Sequence, residues 1–391
     1  MLRNRPESPT TRSHEQAVFV YHDRLTRHVL SDTHVFKPSR LRDTYNLLNS
    51  LGAFELANAK LTEPRQVALE ELRSFHTAEY IDAVAAFAHG QRLSDAATYG
   101  FSEEGDNPIY ANMYESALWT TGASLTATEE LLDGRCAVAV NFSGGLHHAM
   151  PNYAAGFCIF DDPAVAIKQM TTAGARVAYV DIDCHHGDGV QAGFYETDQV
   201  LTISLHESGE FLFPGTGFVR ESGVGLGRGY SVNVPLFPHT DDETYLWAFR
   251  EVVPPLVSAF KPDILVTQLG IDTHVLDPIT HLRLTVQGYT RLVQEFARLS
   301  PGKWLVLGGG GYNIGAVMRG WARAYGVMLD HEWPHDFPEI FQKRYGFEQL
   351  DDPEQLPLPP EIRDQVQKYA QKSVADLKYN VFPVHGLSRL V

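Results

Sequence analysis

The sequence predicts an α/β fold, a mainly parallel β-sheet flanked by helices on both faces, and two observations carry that prediction. Short apolar runs such as Val18-Phe19-Val20, Val138-Ala139-Val140, Val177-Ala178-Tyr179-Val180 and Ile264-Leu265-Val266 alternate with stretches of helical periodicity. That is the pattern of strand-helix-strand units whose sheet is covered on both sides. Four such runs end on reactive side chains: His147 and His148, the stretch from Asp181 to Asp188, Asp272, and Tyr312. In parallel sheets, sites form beyond the C-terminal ends of the strands.

Length and composition set the frame. The chain has 391 residues, 44% of them hydrophobic, enough for one large core. We read a loose tail over 1–16, a catalytic domain over 17–330 and a C-terminal extension over 331–391 packed on the core. Forty-eight acidic against 32 basic residues give a formal charge of -16, which argues against nucleic acid as a partner and otherwise serves solubility. Cys136, Cys158 and Cys184 have no paired spacing, so we expect a reducing compartment and no disulfide framework. No apolar run approaches membrane-spanning length and the start lacks a signal core, which reads as a cytoplasmic protein with no membrane partner.

In chain order, residues 18–22 form the first strand, and Leu41, Tyr45, Leu47 and Leu48 mark a helix with Ser39 as its N-cap and Arg40 as a structural residue. Thr77 caps the next helix, beside a structural His76. Residues 91–110, with Glu103, Glu104 and Asp106, are a polar loop at the rim of a site. A helix over 112–132 stops at Gly134, and a strand over 136–140 leads to His147 and His148. Helices near 162–170 and 190–195 bracket the strand over 177–180. Further strands fall at 200–204 and 230–234, and a Gly- and Phe-rich loop at 209–229. A helix over 241–260 takes Thr240 as cap, followed by a strand over 264–269, a helix over 286–299 and a strand over 304–307. That last strand runs into Gly308-Gly309-Gly310-Gly311-Tyr312-Asn313, glycines that admit close backbone approach but lack a phosphate-loop pattern. A final helix spans 361–377.

The stretch Val180-Asp181-Ile182-Asp183-Cys184-His185-His186-Gly187-Asp188-Gly189 packs carboxylates and imidazoles against an apolar strand. Extended-chain alternation puts Asp181, Asp183 and His185 on one side, where only a cation or a hydrogen-bond network compensates them. Two carboxylates, Asp183 and Asp272, with the His185 imidazole make an oxygen-rich set suited to zinc or iron(II) and not to a thiolate-loving structural zinc. His147 and His148 would supply acid-base chemistry and Tyr312 a hydrogen bond to an oxyanion. Asp181 and Asp188 would fix histidine tautomers.

These segments, with Gly156-Phe157-Cys158, Phe213-Pro214-Gly215-Thr216-Gly217 and Gln268-Leu269-Gly270-Ile271-Asp272, resemble the histone deacetylase superfamily, and within it the bacterial acetoin-utilisation deacetylases, over residues 17–330. The resemblance implies the arginase/deacetylase fold and a zinc-dependent lysine deacetylase in which Asp183, His185 and Asp272 bind the metal. It pairs His147 with Asp181 and His148 with Asp188, gives His148 the main acid-base work, and has Tyr312 polarise the amide carbonyl. It makes Phe157 and Phe213 the walls of an acyl-lysine tunnel, Gly156 a backbone contact and Asp106 a rim residue. It implies structural potassium at Asp181, Asp183, His185, Ser204 and Leu205, and a second potassium at Phe194, Thr197, Val200 and Tyr230. Asp161 departs from the family's usual Asn and adds a negative charge near the site.

Three rivals differ in class. A ureohydrolase of the same fold needs a second metal and paired aspartates, but Gly270 stands two positions before Asp272. An acetylpolyamine amidohydrolase carries an acidic gatekeeper where this chain has Ile279. A non-enzymatic acyl-lysine reader has no use for the full set of reactive residues. The implied substrate is an acetylated protein, with metabolic enzymes such as acetyl-CoA synthetase as candidate partners.

Overall fold

The computed structural model describes residues 16–103, 105–355 and 357–389. The tail read at 1–16 therefore lies, but for Gln16, outside the described residues, as does Glu104. Eight strands, β1 (Ala17–Val20), β2 (Ala59–Thr62), β3 (Val138–Asn141), β4 (Val177–Asp181), β5 (Val200–Glu207), β6 (Ser231–Leu236), β7 (Ile264–Gln268) and β8 (Trp304–Leu307), form one sheet. Their order is β2-β1-β3-β8-β7-β4-β5-β6, and every pairing is parallel. Strands such as β4 and β7 are buried at every position, as a sheet covered on both faces requires. The predicted fold class holds, with the sheet wholly rather than mainly parallel.

The helices are α1 (Ser39–Ser50), α2 (Leu69–Leu72), α3 (Ala78–Ala88), α4 (Met113–Leu132), α5 (Asp162–Thr172), α6 (Asp188–Phe194), α7 (Asp242–Phe260), α8 (Val286–Leu299), α9 (Ile314–Met328), α10 (Glu339–Tyr345) and α11 (Pro360–Asn380). On one side α4 packs on β1, β3 and β8 and against α5, which meets α6. On the other, α1, α9, α8 and α7 touch in succession, and α11 packs on β6 and α7. No helix among the described residues is long and apolar enough to cross a membrane, and the three cysteines are buried and free.

Local chemistry explains where the elements start. Thr77 caps α3 as expected, its hydroxyl accepting from the Tyr80 N–H. Two expected caps are corrected. Ser39 lies inside α1, whose first turn follows Pro38 with no side-chain cap, and α7 is capped by Asp241, not Thr240, through the Thr244 N–H. Strand β5 runs past Ser204 to Glu207, and the edge strand β2, Ala-Lys-Leu-Thr, was not expected because its residues lack an apolar run.

The four adjacent central strands β3, β8, β7 and β4 are the ones whose C-terminal ends lead to His147, Tyr312, Asp272 and Asp183. Residues far apart in sequence thus reach one end of one sheet.

Candidate active site

Strand β4 ends at Asp181, and the chain then turns instead of staying extended. Asp181 Oδ1 accepts the Asp183 N–H at 3.0 Å, and Asp183 Oδ1 accepts the His185 N–H at 2.9 Å. Successive aspartate turns, not strand alternation, therefore bring these side chains together. His185 Nδ1 lies 2.9 Å from Asp272 Oδ2 and 3.3 Å from Asp183 Oδ1. One ligand atom from each of Asp183, His185 and Asp272 lies within 4.8 Å of the others, and all three residues are buried.

A buried pair of carboxylates beside one imidazole fits a divalent cation. Asp183 is held below the ordinary carboxylate range: burial opposes its ionisation, but His147 and His185 outweigh burial. Asp272 is raised by burial and by Asp183. The thiol of Cys184 points away and donates to Glu207 at 3.7 Å, leaving a nitrogen and oxygen donor set. A side chain could not be added in this cradle. A Cβ on Gly310 would stand 2.0 Å from Asp272 Oδ2, and one on Gly270 would stand 2.0 Å from Asp183 Oδ2. Gly270 supplies no carboxylate where a two-metal ureohydrolase would need its extra aspartate.

Both histidine-aspartate pairs form. His147 Nδ1 bonds Asp181 Oδ2 at 2.8 Å, and His148 Nδ1 bonds Asp188 Oδ1 at 2.7 Å. Burial alone would depress His147, but Asp181 and Asp183 raise it to about 9. Burial and the neighbouring His147 lower His148 to about 4. Tyr312 stands on the turn after β8, where burial, Asp272 and Asp183 raise its hydroxyl well above the usual range and keep it a donor.

A narrow cavity of about 20 Å³ reaches this centre, lined among others by His147, His148, Asp183, His185, Phe157 and Tyr312, room for about one water molecule. Phe157 meets Tyr312 edge-on at 5.7 Å, and Phe213 meets His148 at 5.1 Å. Gly156 lies against the His148 ring. Asp106 is exposed beside His34, which packs on Phe157. Ile279 is half-buried and lies outside the inner cavity, its N–H bonded to Asp277.

The residues named for potassium fall in two groups. Asp181 pairs in register with Ser204, and the Leu205 carbonyl accepts the Tyr245 hydroxyl at 2.9 Å. Phe194 ends α6 and Val200 begins β5, with Thr197 between them and Tyr230 just before β6. The Phe194 and Tyr230 carbonyls already accept the Thr197 and Thr202 N–H groups.

Several working residues were missed or underrated from sequence. Arg40, read as structural, is buried and donates to the Gly309 and Gly311 carbonyls at 2.6 and 2.9 Å, holding the turn that presents Tyr312. Asp277 accepts the Tyr312 N–H at 2.9 Å. Asn107 accepts the Phe157 N–H and donates to the Cys158 carbonyl, both at 3.3 Å, bracing Phe157 in its left-handed conformation (φ 70). Phe36 lines the cavity. Asp277 stands in an Asp-Pro pair just before Ile279, a local turn pattern; the others carry none. His76 is structural as read, with Nδ1 on the Met150 carbonyl and Nε2 accepting the Asp161 N–H at 2.9 Å. Asp161, expected to add a negative charge, is fully buried, which raises its carboxyl well above its ordinary value and favours the neutral acid.

Residues 34–328 match the histone deacetylase domain model. The chain is 40% identical over 339 residues to acetoin utilization protein AcuC of Bacillus subtilis, covering 84% of this chain and 87% of that one. It is 35% identical to AcuC of Staphylococcus aureus (strain MRSA252), covering 91% and 95%. The crystal structure of a histone deacetylase homolog from Aquifex aeolicus superposes with a TM-score of 0.82 at 28% identity, covering 91% of this chain and 100% of that one. A histone deacetylase homolog complexed with SAHA gives the same TM-score at 29% identity and the same coverage.

Proposed function

The chain belongs to the histone deacetylase family and is a hydrolase of acetylated substrates, and from that premise we propose that it removes the acetyl group from N-ε-acetyl-lysine in proteins. The observation that carries the reading is the narrow cavity between Phe157 and Tyr312, which ends on His147, His148, Asp183 and His185. Its aromatic side, Phe36 and Phe157, suits the methylene stem of an acyl-lysine, and its polar end suits the acyl amide; Ile279 stands where a polyamine-specific relative would carry an acid.

Asp183, His185 and Asp272 would hold zinc, with iron(II) the alternative. When bound, that ion supplies Lewis acidity to the acyl carbonyl and to the attacking water. His148, neutral at physiological pH, takes the proton from the water and passes it to the departing lysine nitrogen. His147 holds its proton, with Asp181 as partner. Tyr312 donates its hydroxyl hydrogen to the carbonyl oxygen as negative charge develops there. Phe157, Phe213 and Gly156 shape the tunnel, and Asp106 binds the substrate backbone at the rim. Potassium at the Asp181–Leu205 and Phe194–Tyr230 groups would be structural. We place the enzyme in the cytoplasm, acting on acetylated metabolic enzymes such as acetyl-CoA synthetase.

Turnover of acetyl-lysine peptides against acetylated polyamines tests the reading. Peptides are expected to give the higher kcat/KM by about tenfold or more, a difference on the scale of one well-placed polar or charged contact; preference for the polyamines reverses it.

A further inference from the structure

Asp352 lies beyond residues 34–328, the stretch matched by the family model, yet its carboxylate is buried between two segments of the site. Oδ2 accepts the His274 Nε2–H and the Val286 backbone N–H, each at 2.8 Å, and Oδ1 accepts Arg319 Nη1 at 2.8 Å. Its own N–H donates to the Gln287 side-chain oxygen at 2.9 Å, and its carbonyl accepts the Gln287 amide at 2.8 Å. Five hydrogen bonds thus converge on one residue of an irregular segment.

What those bonds hold is the loop of the third metal ligand. His274 follows Asp272 by two residues, and Val286 opens α8 where the loop returns. Between them the loop doubles back on itself, with the Leu284 N–H on the Thr273 carbonyl and the Val275 N–H on the Leu284 carbonyl, both at 3.0 Å. A single carboxylate oxygen therefore pins the outgoing and the returning ends of the loop. His274 Nδ1 accepts the Leu276 N–H at 3.1 Å, so its proton sits on Nε2 and points at Asp352. The other oxygen holds Arg319, fully buried on α9, the helix that continues from the Tyr312 turn. On the cavity side the same two segments are joined by Asp277 and the Tyr312 N–H.

We propose that Asp352 is a positioning residue for the reaction. Through His274 it sets the loop that presents Asp272, and through Arg319 the helix that follows Tyr312. The inference rests on the metal and tyrosine roles given under Proposed function, but its main test needs no substrate.

Removing the carboxylate outright strands a buried guanidinium, which is expected to be severely destabilising, so the arm to the loop is cut from the other end. His274→Leu in the full chain is expected to weaken Zn²⁺ binding, read by chelator competition, about 10- to 100-fold, the scale for partners that orient metal ligands. The kcat on acetyl-lysine peptide should fall while KM stays within about twofold, and cooperative unfolding should persist. His274→Gln, whose amide can donate to Asp352, should recover most of the loss. Parent-like Zn²⁺ affinity and kcat in folded His274→Leu overturn the proposal and leave Asp352 a docking residue of the C-terminal extension. Should His274→Leu not fold, Asp352→Asn decides, since it keeps one acceptor: the same loss of Zn²⁺ affinity supports the proposal and unchanged affinity overturns it. A wrong substrate would silence the parent as well and leave the Zn²⁺ comparison intact.

Discussion

The two histidine-aspartate pairs have the same hydrogen bond and opposite electrostatics. Their Nδ1-to-carboxylate distances are 2.8 Å for His147 and 2.7 Å for His148, and their rings lie 4.2 Å apart. His147 meets two carboxylates, Asp181 and, through Nε2 at 3.8 Å, Asp183, and they lift it to about 9 against the opposing effect of burial. His148 meets one, Asp188 at the start of α6, and faces the rings of His147 and His185, so burial and like charge bring it to about 4. Near neutral pH the proton therefore rests on His147 and leaves His148 free to accept one. A pairing pattern says which residues touch; the surrounding charges say which does acid-base work.

The largest effect that can break this comparison is on turnover. His148→Ala is expected to lower kcat on an acetyl-lysine peptide about 10³-fold, within the range for loss of a general acid-base group, while the purified protein keeps its metal. His147→Ala should cost about tenfold to 10²-fold, since it removes a resident charge and not the group that moves the proton. Steady-state kcat with metal analysis of the same samples checks both. Equal losses erase the distinction, and a larger loss in His147→Ala inverts it.

A smaller effect separates the aspartates. Asp181 is fully buried and makes three hydrogen bonds: it accepts from His147, from the Tyr179 hydroxyl at 2.8 Å and from the Asp183 N–H. Asp181→Asn must turn an amide N–H toward one of those donors, and through Asp183 it is expected to weaken Zn²⁺ affinity about tenfold or more. Asp188 bonds His148 farther from the metal, so Asp188→Asn should lower kcat about tenfold and leave Zn²⁺ affinity within about threefold. Zn²⁺ titration of the metal-free variants reads the contrast, and equal affinities remove it.

These pairs also mark how far the sequence reaches. The parallel sheet, the four strand ends and the convergence of Asp183, His185 and Asp272 were legible because apolar runs and the polar residues after them are local patterns. The reason for the convergence was not, because the turns after Asp181 depend on which backbone N–H each carboxylate accepts. Strand β2 escaped because an edge strand needs no apolar run. Arg40 and Asp352 escaped for a different reason: they act on groups 271 and 78 residues away in the chain, and nothing in their own neighbourhood distinguishes them from a helix-start arginine or an acid in a polar stretch.

The smallest effect concerns a carboxyl behind both pairs. Asp161 caps α5 through Oδ1, which accepts the Ala164 N–H at 2.7 Å, while Oδ2 is buried with no hydrogen-bond partner among the described residues. That oxygen lies beside Gly189, near the carbonyls of His147 and Ala149, a setting that favours a proton donor over a carboxylate. Burial is the main cause of its raised pKa. Asp162 and Asp188 add to it, and His147 opposes it. Between the ordinary value of 3.8 and the folded value, the native state binds the proton that the unfolded chain releases. Its contribution to stability is thus full at acid pH and is lost as pH rises toward the folded pKa. Asp161→Asn supplies a permanent N–H donor and escapes that loss. Its stability gain over the parent should be near zero close to pH 4 and reach on the order of 1–3 kcal/mol by about pH 8, the scale of one buried unsatisfied polar group. Urea unfolding of both proteins across that range measures the difference, in which the titration of shared groups largely cancels. A gain independent of pH would mean that Asp161 keeps its charge when folded. Its charge would then add to those that raise His147, and the contrast with His148 would be wider than the other carboxylates make it.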